Sequence, residues 1–164
     1  MVVKQKGFSL IEVLVTLIVM AIGISGLIVV QLHAMKNVNN SQSRTAATFF
    51  AYDMAERIRA NPAGAVAVSS TAGYNAINGS ESMPNPQNCN AVSCSAVELA
   101  AVDAWVWNQN IKKMLPAGGL GSTGKGTVTR GAGNLYTIEV SWSEQDRNAV
   151  TGASAKRVSI QVQI

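Results

Sequence analysis

Few residues in this 164-residue chain have chemistry beyond folding to offer. Cys89 and Cys94 are its two cysteines, spaced C-x4-C in the stretch PNPQNCNAVSC. Two thiols at that spacing either bridge each other or share a metal. With no neighbouring histidine and no second cysteine pair, they make a poor zinc site. His33 is the single histidine, so Ser-His-Asp and Cys-His nucleophile arrangements are unsupported. The glycine-rich GGLGSTGKGT has Gly126 after Lys125, where a phosphate loop needs Ser or Thr. Lys112, Lys113 and Arg130 are too few to line a basic groove, so nucleic acid is not supported as a partner. No catalytic residue, cofactor or metal site is expected, and an enzyme is the least supported class. The most unusual placement belongs to Glu12, one carboxylate inside a long apolar run.

That run, Phe8 to Leu32, follows Lys4, Lys6 and Gly7 in KQKGFSLIEVLVTLIVMAIGISGLIVVQL. As a helix rising 1.5 Å per residue it extends about 37 Å, enough for a hydrocarbon core of about 30 Å. A secretory signal peptide has a shorter apolar core and a small-x-small cleavage site after it. Neither is found here, so the segment reads as retained, with any processing upstream. Lys4 and Lys6 hold the N-terminus in the cytoplasm and send the C-terminal part out. On that exported side an even cysteine count at close spacing favours a Cys89–Cys94 disulfide, which stiffens its loop more than it stabilises the fold. Glu12 costs roughly 2.5–3.5 kcal/mol within hydrocarbon. It either snorkels to the headgroups from one turn into the span or answers a partner charge.

Gly7-Phe8-Ser9-Leu10-Ile11-Glu12-Val13 resembles the class III signal of type IV pilins and type II secretion pseudopilins. The resemblance implies that a membrane prepilin peptidase cuts between Gly7 and Phe8 and N-methylates Phe8. It also implies that Glu12 pairs with the free amine of Phe8 on a neighbouring subunit during assembly. The stretch AYDMAERIRANP, Ala51 to Pro62, is similar to the end of the spine helix in PilV-type minor pilins, the pilus modification proteins. The later W-x-W helix ending in Leu-Pro is similar as well. Many major pilins carry a proline at the position matching Val29, and this chain does not. Gly23 and Gly26 either allow close helix approach or mark weak points in the span.

The elements around these residues follow from patterning. His33 to Ala60 contains neither Pro nor Gly. Ala47, Phe50, Met54 and Ile58 form one stripe at helical period, so a single helix from about Phe8 to Ala60 is expected, ended by Asn61-Pro62. Residues 61–94 read as a long surface loop; the resemblance makes it a candidate for subunit contact, with a plain solvated loop as the alternative. Ser95-Ala96-Val97-Glu98 is a capping box opening a second helix, with Val97, Ala101, Ala104, Ile111 and Leu115 as its stripe. Trp105 and Trp107 point to different faces, one into the core and one at its edge. Thr127–Arg130 is a short strand and Arg130–Asn134 a turn. Tyr136, Ile138, Val140 and Trp142 alternate with polar residues, as do Val158, Ile160, Val162 and Ile164. Glu144 to Ala155 reads as a long polar connection. The expected fold class is α+β, the type IV pilin roll: a helical spine, an extra helix and an antiparallel sheet of three or four strands. The expected organisation is a cleaved leader at 1–7, a transmembrane and assembly segment at 8–32, and a periplasmic head at 33–164.

Thirteen Lys and Arg against nine Asp and Glu give a net charge of +4. Loss of Lys4 and Lys6 with the leader lowers it to +2, too small a balance to imply an acidic partner. The resemblance implies a minor pilin that primes assembly at the pilus tip and supports twitching motility and attachment. Its implied partners are prepilin peptidase, other minor pilins, the major pilin and a tip adhesin. The implied location is the inner membrane, with a single pass and a periplasmic head, and then the extracellular pilus. A type II secretion pseudopilin shares the N-terminal signal. A tip binding module for DNA or a host surface and a membrane-anchored enzyme are the alternatives of other classes.

Overall fold

The computed structural model describes residues 7–66, 73–84, 89, 93–115, 124–145 and 152–164. Lys4 and Lys6 lie outside them, as do Pro116 and Gly118. The chain divides into two compact units, Met1–Asn40 and Ser41–Ile164.

The first helix, α1, runs from Leu10 to Ala60. It begins two residues later than patterning places it, because the Ser9 carbonyl opens the helical ladder, accepting from Glu12 N at 3.0 Å and Val13 N at 3.3 Å. Gly23 and Gly26 sit inside this one helix. Its buried residues are Ala47, Phe50, Ala51, Met54, Ala55 and Ile58, a stripe confined to the second unit. Small and large side chains alternate along that stripe, so a sheet can approach closely beside the alanines while the larger side chains fill the space between.

The described part of 61–94 holds a helical turn and a short strand where patterning gives a surface loop. Pro62 ends α1 but opens a second helix, α2, Pro62–Ala65, since proline's fixed φ suits the first helical turn. A two-residue strand, β1, Ala76–Ile77, follows, and Tyr74 and Ile77 enter the core. The third helix, α3, Ala96–Met114, carries both halves of the expected capping box: Ser95 Oγ accepts from Glu98 N at 3.3 Å and Glu98 Oε2 accepts from Ser95 N at 2.7 Å. Its buried face is Ala100, Ala104, Trp107, Asn108 and Ile111, with Leu115 just past its end. Val97 and Ala101, which spacing assigns to that face, are exposed. Trp107 is fully buried and Trp105 half-buried, so the two tryptophans divide as their spacing requires.

The sheet contains β1, β2 (Lys125–Arg130), β3 (Leu135–Gln145) and β4 (Ala153–Gln163) in that order, every neighbouring pair antiparallel. A 3-10 turn at Ala132–Asn134 joins β2 to β3. Val128 pairs with Ile138 and Ile138 with Ile160, so the apolar parity of all three long strands falls on one face. That face and the buried stripes of α1 and α3 form one core. The β3–β4 hairpin is longer than the alternation of apolar residues: Glu144 pairs with Ser154 and Gln145 with Ala153. Patterning assigns both strand ends to a loop because their side chains are small or polar.

Candidate functional site

The peptide bond between Gly7 and Phe8 lies ahead of α1, outside any helix. Among the described residues, and apart from its chain neighbours, no atom lies within 4 Å of where a Gly7 side chain would begin, and Phe8 is 84% exposed. A protease must read its scissile bond in extended chain, and this one is held by no ladder. Glu12 falls in the first turn of α1, where a carboxylate complements the partial positive charge of the helix N-terminus. No described residue brings a cation within ion-pair distance of it.

Elsewhere in the apolar run, polar side chains are satisfied by the helix itself. Thr16 Oγ1 donates to the Val13 carbonyl at 2.8 Å, and Ser25 Oγ to that of Ala21 at 2.8 Å. Glu12 has no such resort to a helix carbonyl, since a carboxylate has only acceptors. The apolar side chains from Leu10 to Leu32 are exposed all round the helix. By length and composition α1 suffices to cross a membrane. His33 is exposed on the same helix.

In the second unit, polar contacts hold the helices and sheet in register. Trp107 Nε1 donates to the Phe50 carbonyl of α1 at 2.9 Å. Arg57 donates to Asp53 Oδ2 at 3.0 Å and to Asp103 Oδ1 at 2.8 Å, and Asp103 also accepts from the Tyr74 hydroxyl. Burial, and then that hydrogen bond, push the Tyr74 phenol above its ordinary range. Asn61 Oδ1 accepts from Gly64 N at 3.1 Å while its Nδ2 donates to Ala96 O at 2.7 Å, tying α2 to the start of α3. A side chain at Gly64 would begin 2.5 Å from that Nδ2, which is why glycine stands there.

The contact least visible in advance joins Arg44 to Glu144. Arg44 Nε and Nη2 meet the two Glu144 oxygens at 3.0 Å each, and Trp142 Nε1 adds a third donor at 3.2 Å. Glu144 is only 4% exposed. The Arg44 hydrogen bond holds its carboxyl below the usual range against the opposing pull of burial. The sequence does hold one signal for it. Glu144 continues the parity of Tyr136, Ile138, Val140 and Trp142, and a carboxylate on an apolar face requires a cation. Glu81 escapes sequence reasoning likewise: its Oε2 accepts from Asn108 Nδ2 at 2.9 Å, and its Oε1 accepts from the backbone of Asn78 and Gly79 at 2.7 and 2.8 Å.

Cys89 and Cys94 form a disulfide. The other residues around them in the candidate subunit-contact loop, 85–88 and 90–92, lie outside the described residues. Lys112 and Lys113 stand in the last turn of α3, suited to its dipole, with Lys113 exposed. Among the described residues no three His, Cys, Asp or Glu side chains converge as a metal site.

The architecture is α+β: an N-terminal helix long and apolar enough to cross a membrane, and a small antiparallel sheet sharing one core with the second half of that helix and α3. Two family models match the chain. The prokaryotic N-terminal methylation motif matches residues 3–28, and the model described as type IV pilin Tt1218 matches residues 29–105. The chain belongs to the type IV pilins, a family of structural proteins. Searches of curated proteins and of solved structures return no match. The methylation motif implies processing by prepilin peptidase and assembly with other pilins.

Proposed function

We infer that the protein is a PilV-type minor pilin, one of a set of low-abundance subunits that prime a type IV pilus and occupy its tip. The observation that carries the reading is the combination at the start of α1. An exposed Gly7–Phe8 bond precedes a helix whose first turn holds Glu12, with no cation within ion-pair distance among the described residues, and whose next five turns are apolar but for Thr16 and Ser25. Prepilin peptidase cuts after Gly7 on the cytoplasmic side, removing Lys4 and Lys6 with residues 1–7, and methylates the new amine of Phe8. Residues 8–32 keep the subunit in the inner membrane with the remaining chain in the periplasm, until assembly moves it into the filament. There Glu12 accepts the Phe8 ammonium of a neighbour. A rim carboxylate and a terminal amine make a poor pair in water, but away from it their attraction rises severalfold.

The AYDMAERIRANP stretch supports the minor-pilin assignment. In the structure it is the end of α1, where Asp53 and Arg57 pair and Arg57 reaches α3. N-terminal sequencing of protein sheared from cells tests the reading: it should begin at methylated Phe8. A secreted form that keeps its first methionine, or begins beyond Leu32, refutes it. Replacing Gly7 should leave uncut protein in the membrane. Deletion of the chain should abolish twitching and leave exoprotein secretion intact, whereas the reverse outcome assigns it to a secretion pseudopilus.

A further inference from the structure

Strand β4 is an edge. Among the described residues its only ladder partner is β3, over eleven residues from Ala153 to Gln163. Two backbone contacts fix which of its donors and acceptors are used. Ile164 N donates to Asn134 O at 3.2 Å, across the β3–β4 side, and Gly131 N donates to Leu135 O at 2.7 Å, across the β2–β3 side. In an antiparallel ladder this parity alternates. Even-numbered residues of β4 therefore bond to β3, and Ala155, Arg157, Ser159, Gln161 and Gln163 turn both N–H and C=O outward. Their side chains are all exposed, on the face away from the core. On the opposite face Val158, Ile160 and Ile164 are partly buried against the core and Val162 is buried.

We propose that this edge is a docking site for an extended strand of a partner protein, added antiparallel or parallel as a fifth strand. The occupant's chemistry is read from the edge. Only an extended backbone matches donors and acceptors repeating every ~6.8 Å along one side of a strand. Lys156 and Arg157 place positive charge at one end. Glu139 answers Arg157 only at 3.8 Å, and that guanidinium is 75% exposed. Residues 158–164 carry no side-chain charge at all. Edges that must stay solitary are blunted with charge, proline or bulges along their length. This one is guarded only at Lys156 and Arg157. The fitting strand therefore alternates, with apolar residues beside Val158, Ile160 and Val162 and an acidic residue opposite Arg157.

A second copy of the chain is the wrong occupant: neither β4, Ala153–Gln163, nor the other edge strand, Ala76–Ile77, contains an acidic residue to set opposite Arg157.

The test uses the full chain in detergent micelles and a nine-residue peptide in which valine alternates with glutamate and threonine. Residue-resolved amide exchange should slow about tenfold or more at Ala155, Arg157, Ser159, Gln161 and Gln163, with the even-numbered amides unchanged. Ser159→Pro removes one outward N–H at an edge position that tolerates proline. It should abolish the effect while even-numbered amides stay protected, which shows that the fold survives. Arg157→Glu should transfer the preference to a peptide with lysine in place of glutamate. The proposal is overturned by no slowing at millimolar peptide, by slowing without the odd-residue pattern, or by binding that survives Ser159→Pro. Odd-residue protection in the chain alone that grows with its concentration also overturns it, in favour of a self-paired edge.

Discussion

Gly126→Ala and Trp107→Phe should each destabilise the protein alone, and their costs should not add when the two are combined. A side chain on Gly126 would begin 2.2 Å from Trp107 Cζ3, 2.4 Å from Cη2 and 2.7 Å from Ile111 Cδ1. Carbon contacts in cores sit at about 3.5–4.0 Å, so the indole would have to retreat by more than an ångström. It is fully buried and tethered to the Phe50 carbonyl, so retreat strains the α1 contact. Overpacking of this kind costs about 1–3 kcal/mol, and the rigid ring puts this case near the top. Trp107→Phe loses one hydrogen bond, about 1 kcal/mol, and some buried ring area, for about 2–3 kcal/mol together. A phenyl ring does not fill the outer edge of the indole, where Cζ3 and Cη2 lie. The methyl that Gly126→Ala introduces would occupy part of that void, and the double variant should cost about 2–3 kcal/mol rather than the sum. The coupling of about 3 kcal/mol is measurable by urea denaturation of the detergent-solubilised chain, followed by circular dichroism. Additivity within about 0.5 kcal/mol would refute the seating of Trp107 on β2.

Three further outcomes follow from the same contacts. Glu144 has its carboxyl lowered in the fold, chiefly by the Arg44 hydrogen bond, so the stability it adds is complete above the ordinary carboxylate value and is lost as pH falls through the folded one. Glu144→Gln should therefore be less stable than the parent at neutral pH and show a shallower acid limb; parallel acid limbs in a denaturation series would show that the pair contributes nothing. Tyr136→Phe leaves the buried Ala65 carbonyl without its hydroxyl donor and should cost about 1–3 kcal/mol, read in the same denaturation assay. Reducing Cys89–Cys94 opens a ring only five residues apart in sequence, so thermal stability should fall by about 2 kcal/mol or less while β3–β4 amide protection is unchanged.

How much of this is readable from sequence depends on how local the controlling interaction is. The capping box at Ser95, the stripe from Ala47 to Ile58 and the alternation in β3 are set by neighbours a few residues away, and all three stand as patterning places them. β1 escapes notice because two residues cannot show a period. What identifies it is pairing with β2, far along the chain, where Ala76 meets Thr129 and Ile77 meets Val128. Spacing misassigns the α3 face at Val97 and Ala101 because Trp107 and Asn108, not the aliphatics, centre it. Asn108 Oδ1 accepts from Gly126 N at 2.8 Å, so a polar residue occupies a core position with its partner on another element. The polar end of β3 reads as loop because Ser143 and Glu144 resemble one, and only Arg44 makes Glu144 tolerable there.

The first half of α1 also constrains what must happen during assembly. Seventeen large apolar side chains between Phe8 and Leu32 are exposed, worth on the order of several tens of kcal/mol against water. On the proposed path from inner membrane to filament they cannot pass through water, so they would be handed from lipid to other helices directly. That exchange has almost no hydrophobic driving force, because lipid tails and leucine side chains are equally apolar. The preference for neighbours over lipid then has to come from packing and from the few polar groups. Thr16 and Ser25 are already bonded to their own helix, which leaves Glu12 and the proposed amine of Phe8. On the proposed assignment Glu12→Val should insert and be cut at Gly7 normally, and should even partition more firmly into the membrane. It should nonetheless fall at least about tenfold in its share of sheared filaments, the effect of losing little more than about 1.4 kcal/mol of assembly preference. Equal incorporation of Glu12→Val and the parent, at equal membrane abundance, would show that Glu12 has no part in choosing filament over lipid.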